Sequence, residues 1–201
     1  MLSIEPSALT EIDTYKFLIG SIVPRPIAFV TTRHEDVINA APFSYFNVVS
    51  SVPPLVSVSV QRKDGVMKDT ARNALRTNEL VIHIVDETNV AHVNETAANL
   101  AADESELSRT NFTIQQSEVV STPGIKEAKI RFECVLHHHL PIEYDGQTTA
   151  DLLIARIVRF HIDRDLYKHG RIDAKQLAPV SRMAGNGYAT LGEFFDLKRP
   201  E

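Results

Sequence analysis

The chain has 201 residues, 43% hydrophobic and 23% charged, an ordinary composition with enough length for one sizeable core. Its formal net charge of -5, with 21 basic residues spread along the chain, argues against a nucleic-acid partner, which requires a concentrated basic face. The lone cysteine, Cys134, excludes an intrachain disulfide; with no signal-peptide pattern and no apolar run of membrane-spanning length, one cytoplasmic domain over residues 1–201 and no membrane partner are expected.

Residues 1–14 read as a polar lead-in with a helical turn near Pro6. Tyr15 to Ile22 is apolar but punctuated by Gly20, and Pro24 and Pro26 then hold the backbone extended. Ile27 to Thr32 has strong β propensity, Thr32 to Asp36 is turn-like, and Val37 to Ala41 resumes the extended pattern. The spacing predicts a hairpin that Pro42 ends. Phe43 to Ser51 reads as a loop rich in aromatic and hydroxyl side chains. In Leu55 to Gln61, alternation puts Val56, Val58 and Val60 on one face and Leu55, Ser57, Ser59 and Gln61 on the other.

Asp69 is placed to cap a two-turn helix that Asn78 closes, and Leu80 to Val85 reads as a central strand. Helices are expected between Glu87 and Leu107, with a break near Asp103. Ile130 to Leu140 alternates, with Ile130, Phe132, Cys134, Leu136, His138 and Leu140 on one face. Tyr144-Asp-Gly-Gln is a turn leading into the strand Ala150 to Ile162, where Leu152, Ile154, Arg156, Val158, Phe160 and Ile162 share a side. Many strands, few helices and no βαβ rhythm favour a mainly β antiparallel barrel with peripheral helices.

Three constellations carry chemistry. Ser44 and Asn47 offer hydrogen bonds beside Tyr45 and Phe46, which suits a flat aromatic ligand, although loop aromatics more often anchor the loop to a core. Lys68, Asp69 and Thr70 at a helix start, with Arg62 and Lys63 nearby, suit an anion, or are a cap and a solvated lysine. Ser181 to Tyr188 has two glycines beside Arg182 and Tyr188 and reads as a segment folding back over a ligand, or as a turn before a Leu191–Phe195 helix. His137 and His139 would share a strand face, but no ligand spacing supports them, so no metal is expected. Cys134 reads as an inert core thiol.

In order, Pro24 to Thr32, Asn39 to Asn47, Pro53-Pro54-Leu55, Lys68-Asp69-Thr70 with Asn73, Phe132-Glu-Cys134, and Ser181-Arg182 with Tyr188 span nearly the whole chain. This set resembles the flavin reductase-like family, an FMN-binding split barrel that includes flavoredoxins. The resemblance implies a split β-barrel that dimerises, with FMN near the subunit interface. By position it places Ser44, Tyr45, Phe46 and Asn47 along the flavin ring, and Ser59, Val60 and Gln61 near the ring or ribityl chain. Arg62, Lys68, Asp69 and Thr70 would lie toward the phosphate, with Arg182 and Tyr188 closing the pocket. It implies an FMN-dependent oxidoreductase using NAD(P)H as electron donor, with free flavin or an electron-transfer protein as acceptor. No catalytic side chain is expected, because the flavin carries the redox chemistry. The alternative is a non-enzymatic FMN carrier or redox sensor on the same barrel.

Overall fold

A computed structural model describes residues 1–200. Helix α1 (Glu11–Ser21) begins at Thr10, whose side chain accepts from the Asp13 N–H. Seven strands then build one sheet: β1 (Ala28–His34), β2 (Val37–Phe43), β3 (Phe46–Ser51), β4 (Pro54–Gln61), β5 (Glu79–Ile84), β6 (Ile130–Tyr144) and β7 (Gln147–Ile162). Helix α2 (Asp69–Thr77) lies between β4 and β5, and α3 (Val90–Glu95) follows β5. The strand order is β2-β1-β5-β6-β7-β4-β3, and every pairing is antiparallel.

That order explains the closure. The two end strands, β2 and β3, are consecutive in the chain and joined by Ser44 and Tyr45 alone. Two residues reach only about 7 Å beyond their neighbours, so the sheet must curl until its ends nearly meet. The ends do not pair, which leaves a seam, and the result is the expected antiparallel split barrel. Inside it Val30, Phe43, Val56, Val58, Val60, Leu80, Ile82, Cys134 and Leu153 form one buried core, which α2 enters with Ala71 and Ala74. Burial pushes the Cys134 thiol up and holds it inert.

A second buried layer covers the outside of β1, β2 and β5 with Val93, Ile125 and Val180. Here His83 is fully buried. Its Nδ1–H donates to the Phe29 carbonyl at 2.9 Å, and its Nε2 accepts from the Ile125 N–H at 2.9 Å, which defines a neutral imidazole. Gly124 permits this packing, since a Cβ there would stand 2.9 Å from His83 Nε2.

Several expectations change. Phe43–Ser51 is mostly strand β3, because Phe46 to Ser51 pairs with β4 rather than looping free. Pro42 does not end β2, which runs to Phe43, since proline is tolerated where its nitrogen faces no partner. Asp69 is the first residue of α2, not its cap; Lys68 occupies the cap position, and Asn78, as expected, closes the helix in the left-handed region at φ 61°. Between Glu87 and Leu107 only α3 and one short 3-10 turn form, and no helix forms at Leu191–Phe195. On β7 the core takes Leu153, Ala155 and Ile157, the side opposite to the run grouped from sequence. Register shifts after Ile154 and Ile157 interrupt its alternation. The Asp145-Gly146 turn, with φ of 48° and 75°, joins β6 to β7 as expected.

Candidate functional site

The seam between β2 and β3 is organised by Arg25. Its guanidinium, largely buried, donates to the Ile19 and Ile22 carbonyls at 2.7 Å each and to the Met183 carbonyl at 3.0 Å, and Nε lies 3.5 Å from Ser44 Oγ. One side chain thus ties the C-terminus of α1, the connector and the late segment together. Residues 25–26 also pair with 181–182, which pair with 188–189. The guanidinium of Arg182 stacks on the Tyr188 ring at 4.6 Å, and the Tyr188 hydroxyl donates to Asn94 Oδ1 at 2.8 Å. Ser44, Asn94, Arg182 and Tyr188 therefore line one small pocket of about 170 Å³ floored by Pro42 and Phe43.

Pro42, Phe43 and Ala97 also line a larger cleft of about 480 Å³, so the two cavities adjoin. At the far end of this cleft stands the N-terminus of α2, whose cap residue Lys68 makes no side-chain cap bond. The first-turn N–H groups have no intrahelical partner and carry the positive end of the helix dipole. Lys63 and Lys68 line the same end, and neither forms an ion pair with a described residue. Arg72 is engaged with Asp69.

Beneath the cleft lies a buried polar network. Thr70 Oγ1 donates to Asn39 Oδ1 at 2.7 Å, and Asn39 Nδ2 donates to Glu106 Oε1 at 2.8 Å. The Ala40 N–H donates to Glu106 Oε2 at 2.9 Å. Burial raises Glu106 above the usual carboxylate range, against the bonds from Ala40 and Asn39.

Of the residues singled out from sequence, the structure brings together Ser44, Lys68, Asp69, Thr70, Arg182 and Tyr188 along this groove. Others lie elsewhere. The Phe46 side chain packs against the barrel core, so the anchor reading holds for that ring. Tyr45 bonds through its carbonyl to the Ser59 N–H at 2.8 Å, extending the β3–β4 ladder, and burial raises its phenol. Asn47 is exposed and accepts from the Val48 N–H. The Val60 side chain is buried in the core, so only its backbone can face a ligand. Ser59 and Gln61 lie on the opposite face of β4 and bond to each other at 3.1 Å.

Arg62 does not line the cleft. Two 2.8 Å bonds commit it to the fully buried Asp151, which His139 Nε2 also contacts at 2.9 Å. Burial pushes the Asp151 carboxyl up, but the bonds from Arg62 and His139 outweigh it and hold the carboxyl low. The Thr70 hydroxyl is likewise spent inward, on Asn39. No group of His, Cys, Asp and Glu suited to a metal ion occurs among the described residues.

The family model described as flavin reductase like domain matches residues 19–176. The chain belongs to that family. It is therefore an oxidoreductase on a flavoprotein fold. It is 53% identical over 204 residues to YwrF of Bacillus subtilis, an uncharacterized protein, covering 100% of both chains. It superposes on nitrilotriacetate monooxygenase component B from Bacillus cereus with a TM-score of 0.96 and 55% identity, covering 98% of each chain. It also superposes on the Pseudomonas fluorescens 2-nitrobenzoate 2-nitroreductase NbaA with a TM-score of 0.88 and 27% identity, over 99% of this chain and 96% of that one.

The groove and the network beneath it also contain residues to which no sequence motif points. Arg25 lies within the first matching segment, Pro24 to Thr32, yet an arginine between two prolines carries no signal of burial. Asn39 and Glu106 stand 67 residues apart and meet only through the fold. Asn94 sits on the short α3, with no motif around it.

Proposed function

We propose that this flavin reductase-like protein binds FMN along the groove and transfers electrons from NAD(P)H to a flavin or a separate acceptor. The observation that carries this reading is the continuity of the groove. An uncapped helix N-terminus with Lys63 and Lys68 suits a phosphate at one end. A Pro42–Phe43 floor leads toward Ser44, Arg182 and Tyr188, which suits a flat ring at the other. The donor set fits the group: amides and ammoniums for the anion, apolar walls and a few hydroxyls for the ring.

Bound FMN supplies the redox chemistry, exchanging a hydride with a nicotinamide. The chain's own residues would hold the phosphate at Lys68 and the first turn of α2, and keep the pocket wall in place through the Tyr188–Asn94 bond. The Bacillus cereus relative is one component of a monooxygenase. This supports a division of labour in which the present chain delivers electrons to a separate acceptor protein. The reading includes a cytoplasmic homodimer, supported by exposed apolar side chains on edge strand β3 and on α1.

An anaerobic titration of the FMN-loaded protein with NADH and then NADPH, followed by absorbance, tests the proposal. The flavin bands should bleach, faster with one nicotinamide than the other. A preparation that takes up no FMN would sink the reading. Bound FMN without steady NAD(P)H oxidation on any acceptor would favour the carrier or sensor role.

A further inference from the structure

Both walls of the cleft converge on one buried carboxylate. On one side, the first turn of α2 is anchored to the sheet by Thr70, whose hydroxyl donates to Asn39 Oδ1 at 2.7 Å. Asn73 Nδ2 donates to Thr32 Oγ1 at 3.3 Å, and Thr32 donates in turn to Asn39 Oδ1 at 3.3 Å. On the other side, the wall formed by Thr96 to Leu100 precedes a 3-10 turn, Glu106–Arg109, that is fixed to β2. There the Ser105 hydroxyl donates to the Ile38 carbonyl at 2.5 Å, and Glu106 accepts from the Ala40 N–H and from Asn39 Nδ2. Thr32, Asn39, Thr70, Asn73 and Glu106 are all buried.

Hydrogen-bond polarity makes the carboxylate decisive. An ionised Glu106 can only accept, so it forces the Asn39 amide to present Nδ2 to it and Oδ1 to Thr70. Asn39 Oδ1 can only accept, so the Thr70 hydroxyl must donate inward. Thr70 then offers the cleft its backbone N–H and no hydroxyl proton. We propose that Glu106 is a positioning residue of the phosphate subsite, which through Asn39 and Thr70 sets the first turn of α2 and through β2 holds the facing wall. The proposal rests on the reading of the cleft as the FMN phosphate site.

Glu106→Gln keeps the shape but replaces an acceptor with a donor. Either Ala40 N–H or Asn39 Nδ2 then faces an NH2 group, and the Asn39 amide loses its imposed orientation. The paired change Asn39→Asp with Glu106→Gln reverses the polarity of one bond. The carboxylate introduced at position 39 accepts from the amide introduced at position 106 and from Thr70. The carbonyl oxygen of that new amide still accepts from the Ala40 N–H, and the net charge is unchanged. The measurement is the dissociation constant for FMN and for riboflavin, which lacks the phosphate, by flavin fluorescence, alongside thermal melting.

E106Q should weaken FMN about tenfold, the cost of about one charge-assisted hydrogen bond, and leave riboflavin within about twofold. The paired variant should restore the FMN-to-riboflavin ratio. A parallel loss of both flavins, unchanged binding of both, or a paired variant that does not restore the ratio would each overturn the role. If E106Q alone does not fold, Thr70→Val must lower the same ratio and the paired variant must fold with the wild-type ratio; either failing has the same consequence. Lys68→Ala separates the two levels. If K68A lowers the ratio and E106Q does not, only the role of Glu106 fails. If K68A leaves the ratio unchanged, the phosphate reading of the cleft fails and takes this role with it.

Discussion

Single side chains in this protein act by what they deny to alternatives. Arg25 satisfies three carbonyls from two segments that are far apart in sequence. Arg25→Met should lower stability by about 3 kcal/mol, because the orphaned carbonyls and lost charge-assisted bonds are not replaced. Limited proteolysis should then cut preferentially between residues 182 and 190; wild-type resistance there would argue against the tie. His83 gives a pH signature. Burial, with the Arg131 charge adding to it, lowers its pKa from 6.5 to about 4, and the bond to Phe29 only partly opposes this. The folded state therefore stays neutral while the unfolded chain takes up a proton below pH 6.5. Stability should fall as pH drops from 6.5 toward 4, by up to about 1.4 kcal/mol per pH unit and on the order of 3 kcal/mol in all. Burial raises Glu133 and Asp151, but the bonds they accept outweigh it and hold both low. The stability they contribute is therefore present above the unfolded carboxylate pKa and is lost only at lower pH, as it falls through their folded values. Glu106, raised by burial, takes up a proton in the folded state before it does in the unfolded chain and so opposes the histidine in this window. Urea midpoints measured from pH 7 to pH 4.5 in wild type and in Glu106→Gln separate the two, and a profile that stays flat in E106Q would contradict the buried neutral imidazole.

At the scale of elements, the β4 end and the β6–β7 hairpin are joined by the Arg62–Asp151–His139 group, with Asp151 fully buried. Asp151→Asn removes the charge but not the shape and should lower the melting temperature, since Arg62 and His139 both lose the buried carboxylate they bond to. FMN affinity in the folded variant should stay near wild type, because Arg62 points away from the cleft; a large loss would return Arg62 to the phosphate. Helix α2 carries the opposite expectation. Lys68→Ala should weaken FMN by roughly 10- to 100-fold with little change in melting temperature, since an exposed lysine contributes to anion binding rather than to packing. Equilibrium binding of FMN beside a melting curve checks both parts. These two basic residues, six positions apart, looked alike in sequence. The strand register separated them by giving Arg62 a partner 89 residues away.

For the whole molecule, the sheet leaves β3 as an edge whose Val48 is 72% exposed, and Val52, in the turn just beyond it, is 88% exposed. Such an edge invites pairing unless another chain covers it. Light scattering on a sizing column should give twice the chain mass, and Val48→Lys with Val52→Lys should halve it. A wild-type protein that runs as a monomer at micromolar concentration would remove the proposed dimer.

What the sequence by itself determined was local: the period-two alternation that buries Val56, Val58 and Val60, the Asp145-Gly146 turn, the stop at Asn78, and an ordered set of segments specific to one family. These follow from side-chain periodicity and from backbone preferences of single residues, which neighbours in the chain suffice to express. Only the tertiary structure decided that Phe46 to Ser51 is a strand, because its ladder partner lies across a turn marked by prolines. It also decided that Arg25 is a buried hub and that Arg62 faces Asp151 instead of the groove. And it brought Glu106 to Asn39 beneath the cleft. Hydrogen-bond partners are chosen by position in space, and the barrel's closure is what brings these distant residues within bonding reach.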